Sequence, residues 1–224
     1  MKLEDLGIRK NWIYEALVGT YHTDGKTPNV ALMGVVSPDL DCIIMRPFIS
    51  TDTYRNILHH RCATVMFNYD PKVLYNAVFR GWGKGVYELE LPPENFKDAK
   101  FVKAPVLRDI NAWIEIELRT SKCESENRAT MIFKIVHIEG SKYDFLEKKP
   151  YSRAEGCFIE ALVAASRIIT YLERGDFENA SILLNLLHLY YRVIEKTAPT
   201  SDYLALLKPL ISDIHERFKR AVHV

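Results

Sequence analysis

The stretch Arg46-Pro47-Phe48-Ile49-Ser50-Thr51-Asp52-Thr53-Tyr54-Arg55-Asn56-Ile57 gathers the residue types that bind phosphate. A guanidinium leaving a strand offers a planar fork of donors. Hydroxyls at a helix start add donors beside free backbone amides and the positive end of the helix dipole. Pro47 favours an extended conformation at Arg46, and Asn56 follows Thr53 by three residues, on the same helical face. Ser, Thr and Asp ahead of a helix are also ordinary N-caps, which satisfy first-turn amides without any ligand. What lifts this stretch above a cap is the fork, the hydroxyls and the amide converging on one point.

The elements that must position these residues are mostly strands. The apolar run Cys42 to Met45 delivers Arg46, and a short helix from Asp52 carries Thr53 and Asn56 before ending near His59-His60, where imidazoles complement the negative dipole end. Trp12 to Tyr21 and Asn29 to Val36 flank a hairpin signal at Asp24-Gly25. Ala63 to Asn68 is a further β-branched apolar run, closed by Asp70-Pro71. Val86 to Leu91 and Ala112 to Leu118 alternate with period two, which predicts half-buried strands with Glu115 and Glu117 outward and solvated. Met131 to Ile138 pairs with the latter across the polar loop 121–128. So many strands without βαβ alternation favour an antiparallel barrel over a doubly wound sheet. Gly81-Trp82-Gly83-Lys84-Gly85 lacks the order of a phosphate loop and leads into a strand, so it reads as a barrel bend or a close approach by something flat.

Near Tyr151 the period changes. Ser152-Arg153-Ala154-Glu155 fits a capping box, and Phe158, Leu162, Ala165, Ile169 and Leu172 recur at helical spacing up to Arg174-Gly175. A second helix from Asp176 carries Ile182, Leu183, Leu186, Leu187, Tyr190 and Val193. A third opens at Thr200-Ser201-Asp202, with Pro209 early enough to kink it. The expected organisation is a barrel over 1–147 and a three-helix subdomain over 151–224, joined by the short Glu147-Lys148-Lys149-Pro150.

The stretch from Arg46 to Asn56 resembles the flavin-reductase-like FMN-binding split barrels of the pyridoxamine-phosphate-oxidase-like superfamily. There an Arg at a strand end precedes a Ser/Thr-rich turn and a T-x-x-N step on a short helix. Ile13-Tyr14-Glu15, Asp24-Gly25, Pro28-Asn29-Val30-Ala31-Leu32-Met33-Gly34-Val35, Arg153-Ala154-Glu155-Gly156 and Ile159-Glu160-Ala161-Leu162 resemble the DUF447 branch of these flavoproteins. The resemblance covers most of the chain. It implies a mainly β fold with α, a split β-barrel binding FMN followed by the helical subdomain. It assigns Arg46, Ser50, Thr51, Thr53 and Asn56 to the phosphate, and places Asn29 and the backbone of Met33, Gly34 and Val35 beside the ribityl chain or isoalloxazine. Arg153 is a further candidate, and equally an ordinary first-turn surface arginine. The resemblance also implies a homodimer with each flavin near the subunit interface.

Composition sets the bounds. The 224 residues are 48% hydrophobic and 26% charged, enough for a substantial core, and a net charge of +1 argues against broad electrostatic binding of nucleic acid. No apolar run approaches the roughly 20 residues that span a bilayer, and the N-terminal residues do not form a signal peptide, so the expected location is cytoplasmic. The cysteines at 42, 62, 123 and 157 show no metal spacing and read as reduced thiols, Cys42 as a small core residue.

Three functions remain open at this level. One is an FMN-dependent oxidoreductase acting on a small substrate with a reduced nicotinamide or deazaflavin donor. The second is a non-catalytic FMN store, carrier or sensor, and the third an assembly module whose barrel has lost its ligand. Flavin carries the redox step itself, so no catalytic side chain is required, and none is assigned.

Overall fold

In the computed structural model, which describes residues 1–68, 73–75, 77, 93–110, 112–141 and 150–222, the chain divides into two units. One comprises residues 1–10 and 14–151, the other residues 11–13 and 152–224. The Gly81 to Gly85 stretch and the expected strand Val86 to Leu91 lie outside the described residues.

The first unit is a closed six-stranded antiparallel barrel. Its strands are β1 (Ile13–Tyr21), β2 (Pro28–Val36), β3 (Cys42–Met45), β4 (Cys62–Met66), β7 (Trp113–Cys123) and β8 (Ala129–Glu139), in the order β1-β2-β3-β8-β7-β4. The β1–β2 turn is closed by Asp24, whose carboxylate accepts from the amides of Lys26 and Thr27, both at 2.9 Å, with Gly25 at φ 69°. The Thr27 hydroxyl also donates to this carboxylate, and that bond first, then the two amides, holds the Asp24 carboxyl down at about 2. A single helix, α1 (Asp52–His60), joins β3 to β4. It ends as the His pair indicates, at Arg61 in the left-handed region (φ 63°), whose N–H donates to Ile57 O at 2.9 Å.

A two-stranded sheet of β5 (Phe96–Asp98) and β6 (Pro105–Leu107) packs on the wall formed by β4 and β7. The approach is close: a Cβ at Gly19 would stand 2.4 Å from Pro105 O and 2.5 Å from Thr64 Oγ1, which itself donates to Pro105 O at 2.6 Å.

This covering overturns one expectation. Glu115 is fully buried, not solvated. Its carboxylate accepts from the amides of Lys100, Phe101 and Val102 at 2.9, 2.7 and 3.0 Å and from the Trp113 indole N–H at 3.0 Å. Alternation had placed it correctly on the face opposite Ile114 and Ile116, but residues 100–102 fold over that face and turn it into an anchor for the loop. Glu117 stays half exposed and pairs with Lys134 at 2.6 Å.

The second unit holds α2 (Arg153–Glu173), α3 (Phe177–Thr197) and α4 (Asp202–Val222). Ser152 caps α2, its Oγ accepting from Ala154 N–H at 3.4 Å, and Gly175 turns the chain at φ 70°. The inward stripe of α2 is Ala154, Ala161, Ala164, Ala165 and Ile168, whereas the expected core residue Leu162 is 43% exposed. Small side chains let the neighbouring helix come near, so the alanines rather than the leucines mark the contact face. In α3 the buried residues are Ala180, Leu187, Ile194 and Thr197, and Ile182 and Leu186 face outward. Pro209 lies within α4, which continues as one helix on both sides of it. Phe158 stacks on Tyr203 with ring centroids 4.4 Å apart, and Trp12 meets Tyr203 edge-on at 5.8 Å.

Candidate functional site

Arg46 follows directly on β3, and the chain turns through Pro47–Ser50 into α1. Thr51 is the N-cap: its Oγ1 accepts from Tyr54 N–H at 3.3 Å and donates to Phe48 O at 2.7 Å. Helix geometry leaves the amides of Asp52 and Thr53 without an intrahelical acceptor, at the positive end of the dipole. Ser50 is exposed beside them.

Three arginines surround this turn. Arg46 is half exposed, with Nε 3.3 Å from Thr130 Oγ1 and 3.5 Å from Glu124 Oε1. Arg55 Nη1 donates to Ser50 O at 2.9 Å, and its other nitrogen pairs with Asp52. Arg128 Nη1 donates to Arg46 O at 3.0 Å, its guanidinium 3.9 Å above the Phe48 ring. Asp52, the acid closest to the helix start, is thereby neutralised by Arg55, and the turn presents exposed cationic and hydroxyl donors. That donor set fits a phosphate.

The other sequence candidates lie on the inner side of α1. Asn29 Nδ2 donates to Thr20 Oγ1 at 3.0 Å and to Thr53 Oγ1 at 3.1 Å, and Asn56 Nδ2 donates to Thr20 Oγ1 at 3.1 Å. All four residues are buried. The structure thus divides the candidates: Arg46, Ser50 and Thr51 line the outer turn, while Asn29, Thr53 and Asn56 join a network that fixes α1 against β1 and β2. Thr20, its hub, was missed by sequence reading. The signal was a threonine at the end of the otherwise apolar run Ala16 to Gly19. Thr130, Glu124 and Arg128 were also missed, because nothing in spacing links a polar hairpin to Arg46 some 80 residues earlier.

On β2, Met33 and Gly34 are half buried and Val35 is buried; the run Ala31 to Gly34 is partly open on both strand faces. Leu32 of this run packs against the core cluster of Leu17, Met66 and Trp113. Arg153, exposed, opens α2 in the helical unit.

Cys42 is buried, with Sγ 3.4 Å from Asp39 Oδ1; burial first and that carboxylate second push the thiol up to about 11, which keeps it protonated and unreactive. Burial and the Cys123 thiol also raise the Tyr54 phenol. Among the described residues no group of three or more His, Cys, Asp or Glu is placed to hold a metal ion. No helix among them is long and apolar enough to cross a membrane.

Comparison with known proteins places the chain in a family. The fold is shared with an FMN-bound protein from Methanosarcina mazei: 22% identity over 95% of this chain and 99% of that one, at a TM-score of 0.54. An FMN-binding protein from Thermus thermophilus aligns over 61% of this chain and 76% of its own at 13% identity and a TM-score of 0.49. Flavoredoxin from Desulfovibrio vulgaris aligns over 62% and 76% at 19% identity and 0.46. No curated protein matches the sequence. The family model "Protein of unknown function (DUF447) N-terminal domain" matches residues 14–142, and the model "Protein of unknown function (DUF447)" matches residues 152–208. Both modules occur in family order across most of the sequence, and the chain belongs to the DUF447 family.

Proposed function

We propose that this chain is an FMN-binding flavoprotein and an oxidoreductase of flavin-reductase-like type, acting on a small substrate. The observation that carries the reading is the outer turn. Arg46, the Ser50 hydroxyl and the first-turn amides of α1 lie along one turn, which Thr51 holds in shape as the cap and in which Asp52 is neutralised by Arg55. The FMN-bound family relative from Methanosarcina mazei supports the choice of ligand. The terminal phosphate sits against Arg46 and the helix start. The half-open Ala31–Gly34 segment of β2 borders the ring system, and the Thr20, Asn29, Thr53 and Asn56 network keeps α1 in position. Bound flavin supplies hydride and electron transfer, and the protein supplies binding, orientation and exclusion of water.

The protein works as a homodimer in this reading. Ile159, Leu162 and Val163 on α2, and Ile182, Leu186 and Leu189 on α3, are large apolar side chains between 36% and 61% exposed, which supports burial against a second copy.

Titration of FMN and riboflavin into the apo-protein tests the ligand: FMN binds at least tenfold more tightly, since only it carries the anion. Equal affinities refute the phosphate site. Bleaching of the bound flavin near 450 nm by a reduced nicotinamide or deazaflavin, followed by reoxidation with a substrate, tests turnover. A flavin that no donor reduces makes the protein a carrier or sensor. Sedimentation over a dilution series, with and without FMN, tests the dimer: a monomer holding flavin at full affinity rules out a shared site.

A further inference from the structure

The tip of the β7–β8 hairpin is fastened to the Arg46 turn. Ile49 N–H donates to Asn127 O at 3.1 Å, and Ala129 N–H to Pro47 O at 3.2 Å. Arg128 adds its bond to Arg46 O and its stack on Phe48. Inside the hairpin, Glu124 N–H donates to Arg128 O at 2.8 Å. These contacts fix where the Glu124 side chain stands. Its carboxylate lies 3.5 Å from Arg46 Nε and accepts the hydroxyl proton of Thr130, whose oxygen accepts from Arg46 Nε at 3.3 Å. The guanidinium that the proposed function assigns to phosphate therefore already faces an anion.

We propose that Glu124 sets the affinity of the site by competing with the phosphate for Arg46. This inference rests on the phosphate reading above. The pair is suited to exchange: 3.5 Å is long for a charge-assisted bond, and the two side chains are 51% and 44% exposed, conditions under which an ion pair contributes little. A phosphate dianion carries more charge and three acceptor oxygens, so it takes the guanidinium from the carboxylate. The fastened hairpin then holds the displaced carboxylate nearby, where its charge opposes the phosphate. Glu124 thus weakens phosphate-bearing ligands selectively and leaves contacts to the ring unchanged. Its effect is to keep the bound ligand exchangeable.

The test uses the full chain, with FMN and riboflavin titrated into wild type, E124Q and E124A at low and high ionic strength. At low salt E124Q and E124A are expected to bind FMN about three- to fivefold more tightly than wild type, the range an exposed ion pair is worth. Riboflavin affinity stays unchanged, and the FMN gain shrinks as salt screens the charge. Unchanged FMN affinity in both variants overturns the inference. So does weaker FMN binding, which makes Glu124 a positioning partner that holds Arg46 ready. If wild type itself shows no preference for FMN over riboflavin, the phosphate reading fails first, and that is seen before any variant is compared.

Discussion

The polar residues of the barrel unit fall into two groups that the fold treats in opposite ways. Thr20, Asn29, Thr53, Asn56 and Glu115 are buried, and their hydrogen bonds close on other parts of the chain. Arg46, Ser50, Arg55, Glu124 and Arg128 are exposed and gather at one turn. Removing a member of the first group strands partners that water cannot reach. Removing one of the second leaves its partners solvated and changes what the turn attracts. The T-x-x-N step belongs to the closed group although it sits in the same helix as the open turn, so one short segment serves stability on one side and recognition on the other.

The sharpest way to break this division is Glu115→Ala. Four N–H donors lose their acceptor at once, and the loop 100–102 loses the group that shapes it. We expect a loss of about 3–5 kcal/mol in urea unfolding of the apo-protein. A loss below about 1 kcal/mol would mean that the carboxylate is solvated after all and that the loop is held by packing alone.

Arg46→Ala is expected to do the reverse. FMN affinity falls by roughly 1.5–3 kcal/mol through loss of a charge-assisted contact. Unfolding of the apo-protein moves little, because the side chain is half exposed and its pairing with Glu124 is loose. If stability falls while FMN affinity holds, Arg46 belongs with the structural group.

How much of this was legible in the sequence follows from how local each signal is. The β1–β2 hairpin, β3 with its terminal Arg46, α1 and its end at the His pair all rest on patterns contained within a few residues. Glu115 was misread because period two fixes only which face a side chain takes. What covers that face is residues 100–102, part of a segment whose three-residue strands β5 and β6 are too short to show a period. In α2 the pattern found Ala165 but favoured Phe158 and Leu162 over the other alanines, since hydrophobicity outweighs size in such a reading, yet close helix approach selects Ala161 and Ala164 beside Ala165. Within the site, Arg46 and Ser50 announced themselves by type and order. Thr130 and Arg128 did not, because they reach the turn only through the β3–β8 pairing, 84 and 82 residues along the chain.

Thr20→Val sharpens the comparison from the closed side. The substitution keeps the shape of the side chain but leaves the Nδ2 groups of Asn29 and Asn56 without the oxygen they share. A stability loss of about 1–3 kcal/mol is expected, with FMN binding affected only as far as α1 shifts. Thermal unfolding without ligand and FMN titration at low temperature separate the two effects. A variant of wild-type stability would show that the network is not what holds α1.

The smallest expected effect is that of Arg55→Ala, and its size relative to Arg46→Ala decides whether the open group has a centre. Arg55 reaches the turn through the Ser50 carbonyl and the Asp52 carboxylate, both on its own segment, whereas Arg46 is held only by the loose Glu124 and Thr130 contacts that a phosphate can displace. Loss of Arg55 frees Asp52 to repel an anion, but Asp52 is exposed and its field is screened. FMN affinity should fall by less than about 1 kcal/mol, and the loss should fade as salt is raised. The loss for Arg46→Ala persists further into high salt, because it removes a direct hydrogen-bonded contact as well as a charge. Equal losses for the two variants, measured in the same titration, would remove the case for Arg46 as the phosphate's main partner and would make the cradle a diffuse cationic patch.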